Sequence, residues 1–254
     1  MLALAASCSK SAPSQPPPIP VVTANPVADA ATPDASAALV TADQLVTAIV
    51  PDWSSTTAEL RLWRRDGGAW KLAMGPWPGV VGSRGTAWGA GLHGTGAPVG
   101  RDGPVKREGD AKAPAGAFLL RKSYGYAARA ETALGYQPVD GAWRCVDDPR
   151  SQRYTQIFDA RGVEKDWSSA EDMRRKDALY TWVVDVAHNP TATPGAGSCI
   201  FLHVWRDATS PTVGCTAMAE AELARLIAAL APGAMYVLLP ATEYDALATT
   251  WGLP

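Results

Sequence analysis

A chain of 254 residues with a formal net charge of −2 is long enough to bury one core of ordinary size, with room for an unstructured tail. Its near-neutral charge gives no sign of a nucleic-acid partner, and none is expected. No run of about eighteen apolar residues occurs, so no transmembrane helix is expected.

Residues 1–8, MLALAASC, are apolar and end in small residues before a cysteine. They resemble the tail of a bacterial lipoprotein signal, which implies export and lipidation at Cys8. Residues 9–40 are Pro, Ala, Ser, Thr and Val with almost no charge, including SAPSQPPPIPVV. Such a segment cannot offset its ordering entropy by burial, and it reads as a disordered, partly polyproline tether. The domain proper then spans 42–254.

Within that domain DQLVTAIV suits a short helix or a strand. AELRLWRR and AWKLAMG alternate around Asp66-Gly67-Gly68, a hairpin signal. Residues 75–100 are so rich in Gly and Pro that a surface loop is expected, with His93 incidental within it. KREGD, residues 106–110, forms a charged turn on Gly109 that feeds a strand through Pro114, Gly116 and Phe118. Arg107 and Glu108 read as solvated, whereas Lys106 and Asp110 are candidates to contact a charged peptide. Further on, Asp147 and Asp148 are paired acids suited to a cation or an ammonium group. Adjacent residues of an extended chain face opposite ways, and Asp148 is taken as the substrate-facing member. No carboxylate cluster has metal-ligand spacing, so neither metal nor cofactor is expected. WSSAEDMRRKDALY reads as a helix opening at Ser168 or Ser169, TWVVDVA as a buried strand, and His188 as structural. AMYVLLP is a last strand, followed by one or two helical turns.

Chemistry concentrates in residues 198–218, SCIFLHVWRDATSPTVGCTAM. Residues 198–205 alternate as a strand with Cys199, Phe201, His203 and Trp205 on one face. Residues 206–211 break it, and Thr212-Val213-Gly214-Cys215 deliver a thiol ahead of a helix marked by Leu223, Leu226, Ile227 and Leu230. A thiol near a helix N-terminus and beside an imidazole is biased toward thiolate, and Gly214 lets backbone amides converge on an oxyanion. The same residues also fit an inert buried cysteine and a core histidine.

His203, Thr212, Gly214 and Cys215 together resemble the signature of the L,D-transpeptidase (YkuD-type) catalytic domain. Members of that family carry a strand histidine followed by Ser or Thr, one residue, Gly and the nucleophilic Cys. The KREGD run with its Pro-x-Gly-x-Phe strand entry is the second point of likeness. This chain has Val213 where the common form has His, and Ala217 where it has Asn or Arg. Its GCTAM ending resembles a divergent branch. The resemblance implies an α+β fold, mostly β with short helices, of mixed curved sheets with one helix after Cys215. It also implies that Cys215 is the nucleophile, with His203 its base, a backbone carbonyl orienting the imidazole, Asp207 within the adjoining loop, and the Gly214 and Cys215 amides as oxyanion donors. Thr212, Lys106, Asp110 and Asp148 would bind substrate.

The activity implied is transpeptidation of peptidoglycan stem peptides through a thioester, with another stem or a wall-attached protein as acceptor. L,D-carboxypeptidase or amidase hydrolysis, and a non-catalytic wall-binding lipoprotein, are the alternatives. The protein would work in the periplasm or cell envelope, touching the membrane only through lipid on Cys8. If Cys8 is lipidated or removed and Cys215 is free, Cys145 and Cys199 remain to form a disulfide in an oxidising compartment.

Overall fold

Residues 35–254 are described in the computed structural model of the chain; the expectations for Cys8, for residues 1–8 and for most of the tether lie outside them. The elements in chain order are α1 (Ala35–Thr41), β1 (Gln44–Val50), β2 (Thr57–Asp66), β3 (Ala69–Val80), β4 (Thr86–Trp88), β5 (Ala90–Gly91), β6 (Gly94–Thr95) and β7 (Ala113–Gly125). They continue with β8 (Tyr136–Pro138), β9 (Trp143–Val146), β10 (Ile157–Asp159), β11 (Ala170–Asp172), β12 (Trp182–Val186), β13 (Phe201–Val204), β14 (Thr216–Met218), α2 (Glu220–Ala229), β15 (Met235–Pro240) and α3 (Ala241–Trp251). The described chain is thus mostly β with three short helices, an α+β fold.

The hairpin signal folds as read. Asp66 pairs with Ala69 across Gly67 and Gly68, whose φ angles of 58° and 85° are those of a two-residue turn that L side chains disfavour. Around this hairpin the main sheet of ten strands runs β12-β13-β14-β3-β2-β1-β15-β7, and β12 pairs in turn with β7. The eight strands therefore close on themselves, while β4 and β8 attach to the long β7. Alternation assigns the faces. Every strand of the ring contributes to one interior cluster, including Val46, Leu60, Trp77, Phe118, Val184, Leu202, Met218 and Leu238, which Leu223, Leu226 and Ile227 of α2 join. The intervening residues Leu45, Val237 and Leu239 face outward, where α1 and α3 cover them with Leu39, Leu247 and Trp251. On the opposite flank Phe201 and Val183 face a third cluster beneath the small sheet β10-β9-β11.

Three expectations fail. The domain begins before residue 42, because Leu39 is fully buried against α3, so the tether cannot extend to residue 40. The Gly/Pro-rich residues 75–100 are not a surface loop. Their first part completes β3 and links β2 to β14, and the glycines permit close backbone approach. A Cβ at Gly79, for example, would lie 2.3 Å from Leu60 Cδ1. The segment expected to open a helix at Ser168 or Ser169 instead enters β11, where Ala170, Glu171 and Asp172 pair with β9. That pairing outweighs local helix propensity.

The Pro-x-Gly-x-Phe entry into β7 has a packing reason. Gly116 has φ 135°, and a Cβ there would stand 1.9 Å from Cε1 of His93. His93 is 4% exposed and stacks edge-on against Phe118, so it belongs to the core rather than to a mobile loop. Among the described residues no helix is long and apolar enough to cross a membrane.

Candidate active site

β13 and β14 lie side by side in parallel, with Leu202 opposite Thr216 and His203 opposite Ala217. One step back along the register Phe201 meets Cys215, and its N–H donates to Cys215 Sγ at 3.3 Å. His203 and Cys215 thus share the outer face of the ring, two residues apart in the register of adjacent strands, and their side chains make no hydrogen bond to one another. Tyr180 bridges the pair's surroundings, its ring edge-on to His203 at 5.3 Å and to Phe201 at 5.6 Å.

The imidazole is fixed from behind. His203 Nδ1 lies 2.8 Å from the carbonyl oxygen of Val204. A carbonyl only accepts, so Nδ1 holds the proton and Nε2 keeps a lone pair, the form a general base requires. The expected backbone carbonyl behind His203 is therefore present, while Asp207 is occupied by Thr209 and Ser210 within its own loop.

The helix begins a few residues after Cys215 as expected, but β14 intervenes, so the sulfur lies away from the N-terminus of α2. Its S–H is directed at the carbonyl of Cys199 at 3.5 Å. Burial, reinforced by the negative charge of Glu171, pushes the thiol well above its ordinary range, and burial holds His203 down at about 4. The resting site is a neutral thiol and a neutral imidazole. Gly214, at φ 152°, makes the turn, but its N–H donates to Thr212 Oγ1 at 3.1 Å while that hydroxyl donates to the Cys215 carbonyl at 2.7 Å. Thr212 therefore braces the turn rather than reaching for substrate, and an oxyanion at the Gly214 amide has to displace its hydroxyl.

Cys145 and Cys199 are joined in a disulfide with Cα atoms 6.0 Å apart, and Cys215 is the free cysteine among the described residues. Cys199 has φ 53°, so the extended strand starts after it rather than at residue 198. The bond ties β9 to the approach of β13, and the carboxyl wall of the site hangs from that tie. A cavity of about 310 Å³ opens on Cys215 and Gly214 and is lined by Glu108, Asp147 and Glu171, with Lys106 and Ser198. A second, of about 220 Å³, opens on His203, Tyr180 and Ala217, and the exposed Val213 borders both.

Two further substrate-binding assignments are corrected. Asp148 faces away from the cavity and is saturated by Arg150 and by the amide and hydroxyl of Ser168. Asp110 caps its own turn, accepting from Lys106 Nζ and from the amides of Arg107 and Lys112. Lys106, 6% exposed, reaches the cavity wall with its charge already paired to Asp110. Glu108, read as solvated, instead accepts from Tyr154 Oη and from Ser198 Oγ. Asp147 was foreseeable, whereas Glu171 reaches the site only through a long-range pairing that its local sequence does not announce. Asp147 lies two residues from Cys145 on the same side of an extended segment, and Glu171 pairs opposite Cys145 in the β11–β9 ladder. His188, buried as expected, accepts from the Ala90 amide at 3.3 Å and donates through Nε2 to Ala196.

His93, His188 and His203 are each held at about 4 by burial. A histidine whose folded value lies below its unfolded value of about 6.5 contributes stability above that pH and loses it as pH falls toward 4. The loss is roughly 2 kcal/mol apiece at pH 5. Glu171 and Asp185, raised by burial, act in the opposite sense and offset part of it. Calorimetric melts are expected to show a lower Tm at pH 5 than at pH 7.5, and the His188→Gln variant a shallower decline.

Compared with known proteins, the chain matches no family model, no curated protein and no solved structure.

Proposed function

We propose that the protein is a cysteine-dependent L,D-transpeptidase of the cell envelope, acting on peptidoglycan stem peptides. The observation that carries this reading is the adjacency of β13 and β14, with Nδ1 of His203 pinned by a backbone carbonyl and a free thiol on the same face. The retained signature His203, Thr212, Gly214 and Cys215 supports it from the sequence. The disulfide fits an extracytoplasmic location, and the periplasm is the compartment proposed.

The chemistry follows from the groups present. Nε2 of His203 takes the Sγ proton, and the thiolate attacks the carbonyl carbon of the third, diamino-acid residue of the stem. Collapse of the tetrahedral adduct breaks the C–N bond to the terminal D-alanine, whose amine leaves with the proton carried by His203. A thioester to Cys215 remains, and an amine of another stem or of a wall-attached protein resolves it.

Incubating the protein with a disaccharide tetrapeptide and weighing the products tests this. Crosslinked dimers with release of D-alanine are expected. Tripeptide without dimer would mean that water resolves the thioester and the enzyme is a carboxypeptidase, and unaltered substrate would reject both.

A further inference from the structure

The strand that carries His203 starts late. Residues 198–205 alternate as one extended run, yet β13 opens only at Phe201, and Cys199 before it has φ 53°, in the left-handed region that a cysteine seldom enters. Its sulfur is bonded to Cys145, which lies within β9 between Ile157 on one side and Glu171 on the other, so residue 199 is drawn out of line toward the small sheet. The carbonyl of that displaced residue meets the free thiol. Cys215 donates its S–H to the Cys199 oxygen at 3.5 Å, while the Phe201 N–H donates to the same sulfur at 3.3 Å. The two contacts act in opposite senses: an acceptor for the S–H favours the thiol, and a donor to the sulfur favours the thiolate. The acceptor depends on the backbone angles of residue 199, whereas the donor belongs to β13, where Phe201 is paired with Asp185 of β12.

Breaking the Cys145–Cys199 bond removes the constraint on residue 199. The sequence around it favours extension, and a return from φ 53° to the β region turns the peptide between residues 199 and 200, so that its oxygen leaves Sγ. The acceptor is lost and the Phe201 donor stays. Access to the bond is one-sided: Cys199 lines the cavity that opens on Cys215, and Cys145 is fully buried.

We propose that the Cys145–Cys199 disulfide is a redox clamp on the site: intact, it holds the Cys199 carbonyl on the Cys215 S–H and keeps the thiol at rest, and its reduction by a dithiol frees the thiol to react. The thiolate of the dithiol attacks Cys199 Sγ, the S–S bond breaks, and Cys145 leaves as a thiolate that takes up a proton. The second thiol of the reductant then displaces Cys199 from the mixed disulfide. The protein gains two electrons and two protons as two thiols, and the dithiol loses them as it closes to its own disulfide. The proposal rests on the reading of Cys215 as the nucleophile given above, and adds that its turnover is governed by a bond outside the reaction itself.

The test compares the full chain in its disulfide form with the same chain reduced by dithiothreitol and then freed of it under nitrogen. Each is pulsed with iodoacetamide at pH 7, where sulfur displaces iodide, and alkylation is followed at the Cys215 peptide by mass spectrometry. Reduction is expected to accelerate alkylation of Cys215 about 10-fold, the change that one pKa unit of the thiol produces, with a rate that does not depend on sub-denaturing urea. Cys145→Ser combined with Cys199→Ser is expected to react at the fast rate without reductant and to gain nothing from it. Equal or slower alkylation after reduction overturns the proposal. So does a fast rate that climbs steeply with sub-denaturing urea, which marks general unfolding rather than release of one carbonyl. The expected acceleration in a protein that leaves stem peptides untouched in both forms upholds the clamp and rejects the transpeptidase reading. Equal turnover of stem peptides by both forms upholds that reading and rejects the clamp.

Discussion

Cys215→Ala is expected to abolish release of D-alanine from stem peptides, a loss on the order of 10⁶-fold, the scale seen when the nucleophile of an acyl-transfer site is removed. The effect is this large because every bond change in the proposed route passes through Sγ. The substitution leaves Phe201 N–H and the Cys199 carbonyl without their sulfur partner, yet it keeps the disulfide and the interior of the ring, so near- and far-UV circular dichroism should match the parent. His203→Ala should lower turnover by a smaller factor, about 10²- to 10⁴-fold, because it removes a general base while the thiol remains. A carbapenem adduct, detected by mass, should form on the parent and not on Cys215→Ala. Retained turnover in the alanine variant would end the mechanism.

The second large effect concerns stability. Cys145→Ser combined with Cys199→Ser opens a loop closed over a separation of 54 residues. In the chain-entropy account that closure contributes about 4 kcal/mol. For a domain of this size each kcal/mol moves Tm by roughly 2–4 °C, so a fall of roughly 8–16 °C is expected in calorimetry. The two serines should also loosen the small sheet that holds Asp147 and Glu171 over Cys215, since Cys145 lies directly opposite Glu171 in that sheet. A double variant that melts with the parent would show that the pairing of β9 with β10 and β11 suffices to seat it.

What was legible in the sequence is what short-range physics dictates. Alternation placed Phe201 and His203 on one face of a strand, and Gly67-Gly68 placed a hairpin. The apolar run MYVLLP became β15, and the removal of Cys8 and Cys215 from the count left the pair that is bonded. What was not legible depends on partners far along the chain. Residues 75–80 resemble a loop by composition, yet they complete a strand because β2 and β14 lie on either side of them. Residues 170–172 favour a helix locally and are held extended by β9. The state of Cys215 is hidden for a similar reason: the strand β14 lies between it and α2, and a carboxylate from β11 faces it. Of the two adjacent acids, Asp147 shares the parity of Cys145 and lines the cavity, whereas Asp148 does not.

The first strand, β1, is flanked by β2 on one side and on the other by β15, some 190 residues later in sequence, which in turn lies against β7. Assembly therefore has to wait for nearly the whole polypeptide, and such sequence-distant pairing is slow to form. A nascent or prematurely terminated chain that stops before Met235 leaves two bare strand edges on β1 and β7, each a template for pairing with another molecule. Truncated products are expected to aggregate, whereas the finished cylinder offers no such seam.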